Sequence, residues 1–148
     1  MRSLLDPGDR LQLLGRFGSL RPEAPARWGR MSAARMLAHL SDQMRHTLGD
    51  ATAAPKPGVL RWPIVKQLVM YWLPWPKGRV QGPPEAFLSR PTTWEADLAA
   101  FQALIERFVR QEARTDWPPH AFFGRMTRRS WGFFCHRHFD YHLRQFGA

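Results

Sequence analysis

The chain has 148 residues, a length typical of one domain with its own hydrophobic core, so we expect a single domain over 1–148. Its formal net charge is +10, but the arginines that carry it are dispersed and form no run of five, which disfavours nucleic-acid binding. A single cysteine excludes an internal disulfide and, with no apolar leader at the N-terminus, predicts a cytoplasmic protein.

The first third of the chain predicts two helices. One begins after Asp6, a suitable N-cap, and runs to about Leu20. The next begins after Ser32 and ends near Gly49, which suits the left-handed position that follows many helices. Apolar side chains share one side of this second helix: Met36, Leu37, Leu40, Met44 and Leu48.

The most apolar segment, 62–75, is too short to span a bilayer and is interrupted by prolines and Lys66. It predicts a short helix, at about 63–73, whose tryptophans pack over one end of the core. The alternative is a segment that lies on a membrane surface or acts as a lid.

Two more helices follow. Thr92-Thr93-Trp94-Glu95 is typical of a capping box, and the next residues carry an apolar stripe at helical spacing. The last helix starts near Thr127 and runs almost to the C-terminus. No segment alternates as a strand does. The sequence therefore predicts an all-α bundle of four long helices, with a short extra helix in the middle connection and at least one crossover.

Three of the six histidines lie in the last helix. His138 and His142 are four residues apart, so both imidazoles leave the same face, which also carries Trp131 and Gln145. That spacing allows two nitrogens to bind one metal ion. The same pair could equally be hydrogen-bonded core histidines.

Several residues compete for the remaining roles. His39 lies at the edge of the apolar arc of the second helix and is the best third ligand, with His46 as the competitor. Cys135 could be a soft ligand or a nucleophile, although a buried, inert thiol is the simpler interpretation. His120 suits a loop anchor or a pocket residue, and His136 a surface position or one beside the ligands.

Two blocks of the chain resemble the DinB-like superfamily. The first is Trp-Gly-Arg-Met-Ser at 28–32 with Met-Leu-Ala-His-Leu at 36–40. The second is His-Ala-Phe-Phe-Gly at 120–124, Trp-Gly at 131–132 and His-Phe-Asp-Tyr-His-Leu-Arg-Gln-Phe-Gly at 138–147. More narrowly, the chain is similar to a subgroup of unknown function that ends in this His-rich motif. That subgroup often has a second adjacent histidine where this chain has Tyr141.

The resemblance implies a four-helix bundle of the up-down-down-up type with a metal site made by His39, His138 and His142. A three-histidine site accepts a divalent transition metal such as Zn, Ni, Fe or Mn. Side chains expected to orient the imidazoles or to line the pocket are Asp42, His120, Trp131, Asp140 and Gln145.

Relatives in this superfamily activate low-molecular-weight thiols, so the resemblance implies a metal-dependent thiol transferase. Its partners would be a small-molecule thiol, held through its carboxylates by arginines, and an electrophile docked in an aromatic cleft. The second hypothesis is a non-enzymatic, metal-stabilised binding or stress protein. The third, less favoured, is a basic nucleic-acid binder. An exposed aromatic face on a bundle also favours a homodimer.

Overall fold

The computed structural model describes residues 1–78 and 84–148, which fold into five α-helices. Beyond the single bridge between His120 and Gly124, these ranges contain no β-structure, so the all-α prediction is confirmed. Short 3-10 turns cover Val59–Arg61 and Pro84–Phe87, and a π-helical turn, Leu68–Trp72, continues the third helix. The helices are α1 Pro7–Ser19, α2 Ala33–Leu48, α3 Pro63–Gln67, α4 Trp94–Arg110 and α5 Arg128–Gln145.

Local side-chain chemistry sets the helix ends. The Ser32 side chain accepts a hydrogen bond from the Arg35 backbone N–H at the start of α2, and Gly49 ends that helix at φ 87°. Thr127 caps α5 in the same way. The capping box before α4 differs from the prediction. Thr93 is the cap, and Thr92 donates to the Asp97 carboxylate, so Glu95 is not the reciprocal partner.

Each of the four long helices packs against two others, because α2 contacts α4 and α5, and α1 contacts the same two helices. Aromatic rings fill the centre. The Phe101 ring lies 5.0 Å from both Phe17 and Phe139, edge to face, and all three side chains are fully buried. This core brings the inner faces of α2 and α5 together, which is what positions the histidines.

The segment around α3 corrects one prediction. Trp62, Ile64 and Trp72 are 64%, 75% and 71% exposed, so these two tryptophans do not pack over the core as expected, whereas Trp75 does. Met70, which is buried, and Tyr71 provide the inward contacts instead. No helix in the described part of the chain is long and apolar enough to cross a membrane.

Candidate metal centre

Three histidines meet where α2 packs against α5. His39 comes from α2, and His138 and His142 come from successive turns of α5. Their Nε2 atoms are 3.3 Å apart for His39 and His138, and 3.1 Å apart for His138 and His142. One ligand atom from each of the three lies within 4.8 Å of the others, so this cluster could hold a metal ion.

A backbone carbonyl orients His39. Its Nδ1 lies 2.7 Å from the Ala86 oxygen. A carbonyl oxygen only accepts, so Nδ1 must donate its proton there, and the lone pair of the neutral ring is on Nε2, facing the cluster. The ring also stacks on Phe87, with centroids 4.6 Å apart and planes 15° from parallel. Both the tautomer and the ring plane of His39 are therefore preset.

A side-chain amide orients His142 by the same logic. The His142 Nδ1 lies 2.8 Å from Gln145 Oε1, and Gln145 Nε2 donates to the Trp28 carbonyl at 2.8 Å. Because the Trp28 oxygen can only accept, the amide must turn its NH₂ toward Trp28 and its oxygen toward His142. His142 then carries its proton on Nδ1 and turns the Nε2 lone pair toward the other imidazoles.

The residue after Trp28 must be small for this relay to form. Gly29 has φ +78°, and a Cβ built on it would lie 3.0 Å from Gln145 Nε2. Glycine satisfies the backbone conformation and also leaves room for the amide. In the first sequence block, Trp28 thus contributes the carbonyl that accepts from Gln145, and Gly29 leaves the space that the Gln145 amide occupies.

His138 lies between the other two imidazoles and has the weakest support. Its Nδ1 is buried and has no hydrogen-bond partner, while its Nε2 is close to both neighbouring Nε2 atoms. Burial, reinforced by the neighbouring histidines, holds its pKa well below the usual value. Burial lowers the pKa of His39 too, and that of His142 to about 3. All three imidazoles are neutral at pH 7, the form that binds a metal, so this donor set fits a divalent cation.

Aromatic side chains surround His138 and His142. The ring centroids of Phe134 and Trp75 lie 5.5 Å and 5.9 Å from that of His138, and the Tyr141 ring lies 5.3 Å from His142. Sequence reasoning missed Trp75, Phe87 and the Ala86 carbonyl, because nothing in a sequence shows which loop carbonyl folds back on a helix.

The two aspartates predicted near the imidazoles do different things. Asp42 accepts hydrogen bonds from Arg45 and from the backbone and hydroxyl of Ser89, so it ties down the segment that carries Ala86 and Phe87. Asp140 pairs instead with Arg16 on α1 at 2.7 Å and with Arg144 at 2.8 Å. These contacts do not support the predicted role of Asp140 in orienting an imidazole.

His120 and Trp131 lie further along the same side of α5. The His120 Nδ1 accepts hydrogen bonds from the backbone of Phe122 and Phe123, and its ring packs 4.6 Å from that of Phe134. Trp131 donates from its indole to the Pro118 carbonyl. Both residues anchor the loop before α5 and pack against Phe134, whose ring in turn contacts that of His138. Burial lowers the pKa of His120 to about 3.

The competing ligand candidates lie outside this cluster. The three-residue group found in the described ranges includes neither His46 nor Cys135. The Cys135 thiol is fully buried beside the Thr47 hydroxyl, and burial raises its pKa to about 12, which makes it a poor nucleophile at pH 7. His136 is only 4% exposed, so the expectation of a surface position was wrong.

Residues 5–148 match the model of a family described as "Protein of unknown function (DUF1569)". No curated protein and no solved structure matches the chain. The family match spans the three histidines, Gln145 and the Trp-Gly pair, so the whole candidate metal centre lies within it. The chain therefore belongs to this family of unknown function.

Proposed function

We propose that this protein is a metal-dependent enzyme of the DinB-like superfamily that transfers a low-molecular-weight thiol. In this proposal the four long helices form an up-down-down-up bundle, and His39, His138 and His142 bind one divalent metal ion. The observation that carries it is the convergence of three neutral imidazoles, two of them with tautomers preset by a carbonyl and an amide.

The chemistry follows from the charge of the ligands. A divalent cation held by three neutral nitrogens keeps its full charge and would favour the thiolate form of a bound thiol. In the transfer, the thiol sulfur forms a bond to an electrophilic carbon, the leaving group departs with its bonding electrons, and the thiol proton passes to solvent. The donor set suits Zn, Ni, Fe or Mn.

The surroundings suit an apolar electrophile. Trp75, Phe134 and Phe87 place three aromatic rings around the imidazoles, so an apolar group docked there would be shielded from water. One cation against this wall is Arg137, whose guanidinium lies 5.1 Å from the Trp75 ring centroid. It is the first candidate for binding a carboxylate of the thiol.

The first experiment measures the metal content of protein purified without a histidine tag. We expect about one equivalent of a transition metal in wild type and its loss in His138→Ala. The matched control is His46→Ala, the competing candidate on α2, which should keep the metal. Circular dichroism of each variant separates loss of the ligand from loss of the fold. Wild-type protein that neither contains Zn, Ni, Fe or Mn nor takes any of them up would refute the proposal.

The second candidate is a metal-stabilised binding protein without catalysis, and one observation favours it. Two surface cavities, of about 420 and 570 Å³, are lined by residues other than the three histidines. Metal that raises the melting temperature, without turnover of any thiol and electrophile pair, would favour this function. A substrate-dependent loss of free thiol that His138→Ala abolishes would favour the enzyme.

A further inference from the structure

An apolar strip is exposed along the segment 59–73. Ile64, Leu68 and Trp72 are spaced four residues apart on α3 and its π-helical continuation, so they point to the same side. Their exposed fractions are 75%, 44% and 71%. Trp62 and Leu73 extend the strip at its two ends. Exposure of several large apolar side chains on one short element marks an interaction surface rather than ordinary surface variation.

Two segments, one of which carries this strip, contain charges of one sign only. Residues 51–78 and 117–139 contain eight lysines and arginines and no aspartate or glutamate. Most of the chain's excess positive charge therefore comes from two segments. Arginines are spread along the whole chain, but the net positive charge is not, because the acidic residues lie outside these two segments.

These two segments pack against each other and form one face. The Lys56 backbone N–H donates to the Ala121 carbonyl, and the Lys66 ammonium donates to the Arg125 carbonyl. The Arg61 guanidinium lies against Gly124. These contacts thus place cations of both segments beside α3, the element that carries the apolar strip.

We infer that this face docks on an anionic lipid surface, with the tryptophans and aliphatic side chains entering the headgroup region and the cations contacting lipid phosphates. A short amphipathic helix with tryptophan, aliphatic residues and flanking Lys and Arg has the chemistry of an interfacial segment. The inference concerns peripheral binding, and it is independent of the metal centre.

Charge and shape disfavour the other occupants. A second copy docked through the same face would bring two cationic surfaces together, which is repulsive. A nucleic acid would neutralise the cations, but it offers no apolar surface to cover Ile64, Leu68 and Leu73. An anionic lipid surface satisfies the charge and the apolar strip together.

The test is sedimentation with vesicles of phosphatidylcholine, with and without about 30% phosphatidylglycerol. We expect binding to the anionic vesicles that weakens as salt is raised, and little binding to pure phosphatidylcholine. Combining Trp62→Ser, Ile64→Ser and Trp72→Ser should weaken binding at least about tenfold, because each side chain buries apolar area on docking. The replaced side chains are exposed, so the fold should survive. His138→Ala should bind like wild type.

Leu11→Ser is the matched control, since Leu11 is 74% exposed on α1 and lies outside the two segments. It should leave vesicle binding unchanged. The inference fails if wild type does not bind anionic vesicles, or if the triple variant binds them as well as wild type does. Two other results would also refute it when vesicle binding is absent. One is a dimer, seen by ultracentrifugation, that the triple variant abolishes. The other is binding of duplex DNA that the triple variant abolishes.

Discussion

At the scale of single residues, the candidate metal centre depends on groups that do not touch a metal. The Ala86 carbonyl and the Gln145 amide choose the tautomers of His39 and His142. Each forces a proton onto Nδ1 and so leaves an Nε2 lone pair directed inward. His138, whose Nδ1 has no partner, depends on its two neighbours for orientation.

The first prediction concerns the amide. Gln145→Leu keeps the side-chain volume but removes both the acceptor for His142 and the donor to Trp28. Zinc affinity should fall about 10- to 100-fold, the usual effect of losing a group that orients a ligand. Competition with a chromophoric chelator measures it. Gln111→Leu, at the end of α4, should leave the affinity unchanged, and equal affinities for wild type and Gln145→Leu would contradict the relay.

The second prediction concerns the gap beside that amide. Gly29→Ala should cost about 1 kcal/mol of unfolding free energy for its positive φ and displace Gln145. Gly78→Ala is the matched control, because Gly78 has φ +66° and its added Cβ would meet nothing closer than 3.9 Å. Urea unfolding should show a similar backbone cost in both, while zinc titration should show weaker binding only in Gly29→Ala. Weakened zinc binding in both variants would contradict the steric argument.

At the scale of elements, the site depends on how segments are fastened to α2. Asp42 binds the Ser89 backbone and hydroxyl, and Arg35 donates to the Phe87 carbonyl at 2.8 Å. These bonds hold the 86–89 segment over His39. The carboxylate on α5, Asp140, instead fastens α1 through its ion pair with Arg16.

The third prediction uses these two aspartates as a pair. Asp42→Asn should loosen the segment that carries Ala86 and lower zinc affinity about tenfold. Asp140→Asn should lower the unfolding free energy by about 1 kcal/mol, as expected for a partly exposed ion pair, and leave zinc affinity within about twofold. Calorimetric titration with Zn checks both. If only Asp140→Asn lost zinc affinity, the claim that Asp42 rather than Asp140 supports the site would be contradicted.

Helix boundaries were predictable from the sequence because their causes are local. Ser32 and Thr127 act as caps within three residues of their partners, and Gly49 ends α2 by its own backbone freedom. The exact cap of α4 was not predictable, since Thr92 and Thr93 are both good caps and the choice depends on Asp97. The exposure of Trp62 and Trp72 was not predictable either, since it depends on which side of the helix meets the core.

At the scale of the whole molecule, buried neutral histidines make the fold sensitive to acid. In the unfolded chain an imidazole has a pKa of about 6.5, whereas burial lowers the pKa of His120 and of His142 to about 3 in the folded state. Below pH 6.5 the unfolded chain therefore binds more protons than the folded protein does. Stability must fall as the pH drops from about 6.5 toward 3.

The fourth prediction follows for metal-free protein. Between pH 7 and pH 5, His120 alone should lower the unfolding free energy by about 2 kcal/mol. His120→Asn keeps an acceptor for the Phe122 and Phe123 backbone but does not titrate, so its stability should fall less over that range. Urea unfolding at the two pH values measures the difference. Identical pH dependence in the two proteins would show that His120 is not neutral in the folded state.

The sequence by itself determined the all-α class, the ends of α2 and α5 that local caps set, and the presence of two histidines on one face, because these depend on neighbours within a few residues. It also marked His39 as the best partner on α2. Only the tertiary structure decided that His39, His138 and His142 meet while His46 and Cys135 do not. It likewise decided that Gln145 and the Ala86 carbonyl direct the imidazoles, and that two separate segments form one cationic face. The physical reason is that these relations join residues far apart in the chain, so they exist only once the helices have packed.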